Sequence, residues 1–252
     1  DLAERLDSEN SQWRAFRDIM NPALMYLSGL YFLNVGDYAN AKTYLQRADG
    51  MAGNNKYVKS DLRAANARTT PKNTVWVFVE DGFAPKLRED RMDTFVVFPT
   101  GPATLSVAVS EPLFAAPMPM VDGAEIVADV DALFMTEYTQ YRVNEALRAF
   151  ASAVSKAALQ SALYNSDSDS APLMGLLATM YTLSTTNAEV RTWATLPQRI
   201  SVWRTTNDKT GLLEIKSGGN LVVTAEIPSA GNYLVYVRLT GGTPDVKTIK
   251  IK

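Results

Sequence analysis

The chain has 252 residues, a formal net charge of −2, 46% hydrophobic and 21% charged residues, and neither cysteine nor histidine. This balance describes an ordinary folded protein, long enough for one large domain or two modest ones. It excludes disulfides, thiol and histidine-based acid/base chemistry, most zinc sites and the basic stripe of a nucleic-acid binder, and leaves an all-oxygen calcium or magnesium site open.

Residues 1–70 read as helical. The segment DLAERLDSENSQWRAFRDIM (1–20) fits one helix of a degenerate repeat. NPALMYLSGLYFL (21–33) then carries a dense apolar face, with Pro22 in a first turn where its missing N–H costs nothing. VGD breaks the pattern and YANAKTYLQRA (38–48) resumes it, with Tyr38, Ala41, Leu45 and Ala48 three or four apart. A third, polar helix is expected from Lys56 to Asn66. In the first pair, Gly29, Ala41 and Ala48 are small where two helices would cross, while Phe32, Tyr38 and Leu45 fill the hollows. That spacing over 22–53 resembles one tetratricopeptide repeat. Such arrays usually need about three units to make a groove. Two readings therefore stand: a helical hairpin packed on the rest of the protein, or a peptide-binding platform.

From Thr74 the period changes. TVWVFVED (74–81) reads as a strand, and TFVVF and ATLSVAV flank PTGP as a hairpin. Between them, Glu80, Asp81, Glu89, Asp90 and Asp93 alternate with Lys86, Arg88 and Arg91, and the run is expected to be a neutralised, solvated turn rather than a catalytic pair. EPLFAAPMPMVDG (111–123), with three prolines, has neither period. Its Phe114, Met118 and Met120 either cover the core or wait for a partner. A long helix is expected over 125–163, a polar turn at NSDSDS, and a shorter helix over 172–183. Asp167 and Asp169 lack the spacing of a calcium loop. Ser152 and Lys156 stand one helical turn apart, without the partner motifs of a Ser–Lys enzyme.

Residues 200–251 hold five short strand-like runs separated by Gly, Asn, Asp or Pro. Leu221, Val223, Ala225 and Ile227 alternate along one, and Tyr233, Val235, Val237 and Leu239 along another. Trp76 and Trp203, in strand-like runs, read as core. Trp193, between a helix and a strand, is expected to pin a rigid junction at VRTWATLPQRI, where Pro197 biases Leu196 toward extended backbone. Blocks of helices and strands predict an α+β fold. Its regions are a repeat-like helical hairpin (1–70), central strands with a long helix (71–199), and an antiparallel β-rich region (200–252). The last is expected to join the central strands in one sheet system against the long helix, with a separate C-terminal sandwich as the competing arrangement.

Three segments together resemble a family of poorly characterised bacterial envelope lipoproteins. They are residues 21–48; NTVWVFVEDGFAPKLREDRMD (73–93); and AEVRTWATLPQRISVWR (188–204), whose Ala188, Arg191, Trp193, Leu196, Pro197 and Ile200 are the most specific match. The resemblance implies an exported periplasmic protein held at the outer membrane by a lipidated cysteine. This sequence has no cysteine, so the anchor is expected upstream of residue 1 or is missing in this member. It also implies other envelope proteins as partners, with peptidoglycan as an alternative ligand, and brings no established activity. The expectation is a non-enzymatic structural or scaffold component with no catalytic, cofactor or metal residues. Its candidate contacts are Gly29, Phe32, Tyr38, Ala41, Phe114, Met118, Met120, Arg191, Trp193 and Pro197. No apolar run reaches the roughly 18 residues of a membrane span.

Overall fold

The computed structural model describes residues 21–251, apart from positions 167, 194, 209 and 210 and the side chain at 140. The segment 1–20 and Trp13 lie outside the described residues. The fold is α+β, and the chain forms two compact units. Among the described residues, a core unit takes the chain up to Ala84, Ala115–Val130, and the chain from Thr195; a ribbon unit takes Pro85–Phe114 and Asp131–Ala194.

The core unit begins with three capped helices. Helix α1 (Pro22–Val35) starts where the Asn21 side chain accepts from the Ala23 N–H at 2.9 Å, and ends at Gly36, whose φ of 88° needs glycine. Helix α2 (Tyr38–Met51) is capped by Asp37, and α3 (Lys56–Asn66) by Asn55, whose side chain accepts from both the Tyr57 and Val58 N–H groups. Gly29 lies at the α1–α2 crossing: a Cβ there would stand 2.6 Å from Leu45 Cγ. Ala41, Leu45 and Ala48 are buried in the same contact. Phe32 stacks on Tyr44 with ring centroids 5.4 Å apart, and the Tyr38 hydroxyl lies 3.2 Å from Thr70 Oγ1.

These helices cover a five-stranded sheet. Its strands are β1 (Thr74–Asp81), β4 (Glu125–Asp129), β5 (Arg199–Thr206), β8 (Tyr233–Leu239) and β9 (Asp245–Lys250), in the order β4-β5-β1-β8-β9. Central β1 runs antiparallel to β5 and parallel to β8. It is buried on both faces, which explains its continuous apolar run. Trp76 and Phe78 face the helices, while Val75, Val77 and Val79 meet Tyr233, Val235 and Val237 in a second apolar cluster. The alternation along β8 is realised in full, with Tyr233, Val235, Val237 and Leu239 all buried.

The hairpin of β6 (Leu212–Ser217) and β7 (Asn220–Glu226) contributes Ile215 and Ala225 to that second cluster. Its turn, Gly218-Gly219, has φ of 57° and 78° and donates both backbone N–H groups to the Asp122 carboxylate. A register shift between Ile215 and Lys216 breaks the alternation of β7: Ala225 is buried and Leu221 is exposed.

A carboxylate joins helices to sheet. Asp61 on α3 is fully buried and accepts from the Tyr26 hydroxyl at 2.6 Å and from the Trp76 indole N–H at 2.9 Å. It also pairs with Arg204 on β5, which donates to Ser60 Oγ at 2.9 Å. Burial pushes the Asp61 carboxyl above the ordinary aspartate range, although Arg204 and the two neutral donors pull the other way.

Three expectations are corrected. Residues 86–93 are not a turn: they belong to β2 (Lys86–Phe98), which pairs along its whole length with β3 (Gly101–Leu113). Residues 125–129 are strand β4, added to the edge of β5, and the long helix α4 (Val130–Tyr164) starts only after them. The five-stranded sheet is covered by α1–α3, whereas Tyr138 and Gln160 of the long helix bond to β3 of the ribbon.

Candidate functional site

The ribbon unit packs small side chains inside and leaves large ones outside. On β3, Thr104, Ser106, Ala108 and Ser110 are buried in alternation. They meet the Ala-rich half of α4, where Ala153, Ala157, Gln160 and Ser161 are buried. Polar bonds fix this contact. Gln160 Oε1 accepts from the Thr104 N–H at 3.0 Å, Ser161 Oγ donates to the Gly101 carbonyl at 2.9 Å, and the Tyr138 hydroxyl donates to the Ser110 carbonyl at 2.8 Å. Helix α5 (Ala171–Thr185) closes on α4 at Gly175, where a Cβ would collide with the Tyr164 ring. Its C-terminal end is held by Lys156, whose ammonium donates to Thr185 Oγ1 at 3.1 Å and Thr186 Oγ1 at 3.3 Å.

With small residues occupying the interior, the large apolar side chains face out. Helix α5 carries no charge along its whole length and exposes Leu173, Leu176, Leu177, Met180 and Tyr181. The ribbon end adds Phe95 at 75% exposure and Val97 at 83%. Helix α4 adds Leu147, Phe150 and Leu159. A helix that is hydrophobic all round is normally buried, so the exposed apolar side chains of α5 make it the candidate contact surface.

The acidic run supplies anchors rather than a paired-carboxylate site. Glu89 Oε2 accepts from the Ala188 N–H at 2.7 Å and Arg91 donates to the Thr186 carbonyl at 3.1 Å, tying the segment after α5 to β2. Asp93 pairs with Arg91 at 3.1 Å, Asp81 with Arg199 at 2.6 Å and Glu80 with Arg238 at 3.7 Å. Among the described residues, no group of three or more acidic side chains is placed to hold a metal ion.

The other candidate residues scatter. Arg191 makes two 2.7 Å bonds to Glu189, and these hold the Glu189 carboxyl down at about 2. Trp193 is 73% exposed, which overturns the expectation that it packs as a junction pin. Pro197 is buried in the core unit, where Leu196 accepts from the Ala84 N–H at 3.0 Å and Gln198 accepts from the Val130 N–H at 2.9 Å; these backbone bonds fix the segment. Phe114 is exposed, and Met118 packs on the second apolar cluster beside buried Val121. The Met120 carbonyl accepts from Ser217 Oγ at 2.8 Å, so the proline-rich loop from Met118 to Val121 is internal structure of the core unit.

Fold and surface define an α+β protein of two units, one with conventional cores and one with its large apolar side chains outside. No helix among the described residues is long and apolar enough to cross a membrane. Comparison with family models, curated proteins and solved structures finds no match to this chain.

Proposed function

We propose that this chain is a non-enzymatic structural component of a multi-protein assembly in the bacterial cell envelope, with the apolar face of the ribbon unit as its contact surface. The observation that carries the reading is the uncharged helix α5, which exposes Leu173, Leu177 and Met180 over a small-residue interior. Fully burying such a side chain is worth about 1.5–3 kcal/mol, and association costs about 4–15 kcal/mol, so the contact would draw on many of these side chains together. The sequence resemblance to envelope lipoproteins supports a periplasmic place at the outer membrane, with an upstream lipid anchor. The test is a double variant, Leu177→Glu with Met180→Glu, expressed in cells in place of the wild type. Both positions are exposed, so the melting curve should hold. Cross-links from α5 to specific envelope proteins should disappear. Cross-links that persist unchanged would refute the reading.

A second reading, a peptidoglycan- or glycan-binding module, is favoured by Trp193, whose exposed ring offers a stacking platform. Sedimentation with purified peptidoglycan tests it: binding lost in Trp193→Ala supports it, and no binding by the wild type refutes it.

A further inference from the structure

The core unit carries a cleft of about 550 Å³ between β7 and the face of β9, a volume suited to a small ligand. Its walls include Thr224, Glu226, Ser229, Tyr233, Thr248 and Lys250. Three of these converge. Ser229 Oγ lies 2.6 Å from the Tyr233 hydroxyl, and the Lys250 ammonium donates to Ser229 Oγ at 3.2 Å. Strand pairing sets two of them, since Tyr233 on β8 stands opposite Lys250 on β9.

A stapled loop sets the third. The Asn207 amide donates to the carbonyls of Ser229 at 2.9 Å and Gly231 at 3.2 Å, and the Gly231 N–H donates to Asn73 Oδ1 at 3.1 Å. The neighbouring Asn232, buried, donates to Asn34 Oδ1 at 2.6 Å and to the Pro71 carbonyl at 2.7 Å. Ser229 is thus held in place before any ligand arrives, which lowers the ordering cost of binding.

Counting protons shows what the cluster can take. Both hydroxyl protons are spent: Ser229 Oγ donates to the Ala230 carbonyl at 3.3 Å, and the Tyr233 hydroxyl donates to Ser229 Oγ. An ammonium has three N–H donors, and Lys250 spends one on Ser229. The two remaining ammonium donors of Lys250 are left over at this end of the cleft, and charge-assisted donors suit a carboxylate. Glu226, on the β7 wall, has the opposite charge and is an acceptor. A cleft walled by one cation and one anion matches a ligand with both charges.

We propose that this cleft binds a short peptide with both termini free, its carboxylate on Lys250, which Ser229 holds in place, and its ammonium on Glu226. The test is calorimetric titration of the whole chain with three probes: alanylalanine, its N-acetyl form and its C-terminal amide. Alanylalanine should bind at millimolar concentrations or below, and blocking either end should weaken binding about tenfold or more. Lys250→Gln should erase the difference between alanylalanine and its amide. Glu226→Gln should erase the difference between alanylalanine and the N-acetyl form. Both residues are exposed, so unchanged melting curves certify the variants. No binding by wild type, equal binding of all three probes, or unaltered binding by Lys250→Gln would overturn the proposal. Equal occupancy by inorganic phosphate would also overturn it, reducing the site to a general anion site. The cleft does not depend on the ribbon unit's contacts, so the α5 double variant should titrate like wild type.

Discussion

Replacing Asp61 by Ala should be the most damaging single change to the core unit. The carboxylate is fully buried and serves three donors: the Tyr26 hydroxyl, the Trp76 indole and the Arg204 guanidinium. Breaking a buried ion pair from one side costs about 3–5 kcal/mol. Stranding a buried neutral donor costs about 1–3 kcal/mol. Arg204 is a quarter exposed and can recover some hydration, and water can enter the space left by the carboxylate, so the costs do not sum. The expected loss is about 4–6 kcal/mol for Asp61→Ala and about 1–2 kcal/mol for Tyr26→Phe, which removes only one bond. Urea denaturation followed by tryptophan fluorescence gives both values, with Trp76 reporting from the site itself. The transition of the core unit should move while that of the ribbon unit stays. A loss under about 1 kcal/mol for Asp61→Ala, the range of an ordinary surface change, would show that the network does not hold helices to sheet.

Gly29→Leu should cost about 1–3 kcal/mol by overpacking against Leu45 at the α1–α2 crossing, measured as a shift in denaturation midpoint. Trp193→Ala should change stability by less than about 0.5 kcal/mol, because its ring is largely in solvent; proteolysis between residues 185 and 205 should be unaltered. The stability difference between wild type and Asp61→Asn should depend on pH. The folded carboxyl holds its proton above the pH at which the unfolded one ionises, so this contribution is present below the ordinary aspartate value and is lost as pH rises through the raised folded value. Denaturation at several pH values checks the direction, and a difference that grows with pH would refute it.

Where local pattern and tertiary setting agree, the sequence is a sufficient guide. α3 and β1 are bounded by Asn55 and by the switch from polar to β-branched residues, and both occupy the expected spans. β2 is hidden because its first half alternates in charge rather than in hydropathy. Arg88 pairs across the ribbon with Glu111, and both faces of that half meet solvent or polar partners. β4 is hidden because five residues ahead of a helix carry too little period of their own; β5 makes them a strand from far along the chain. Asp61 did leave a signal. It stands three residues after Val58 and four before Ala65, both buried, so it lies on the apolar stripe of a helix that otherwise reads as polar. The exposure of α5 left none, since an uncharged helix with Leu and Met all round looks the same in a core.

The position of β1 has a consequence for how the chain is made. Its partners β5 and β8 begin at Arg199 and Tyr233, more than a hundred residues downstream. At ribosomal rates of about 5–20 residues per second, TVWVFV leaves the ribosome and waits roughly 6–30 s with both hydrogen-bonding edges open. An uncharged, β-prone run of this kind invites pairing between nascent chains. The helices α1–α3 are synthesised before it and can take Trp76 and Phe78 at once, leaving only the valine face and the edges to guard. The N-terminal hairpin is thus placed to shield the strand that follows it, and loss of its crossing at Gly29 should show as raised aggregation during synthesis.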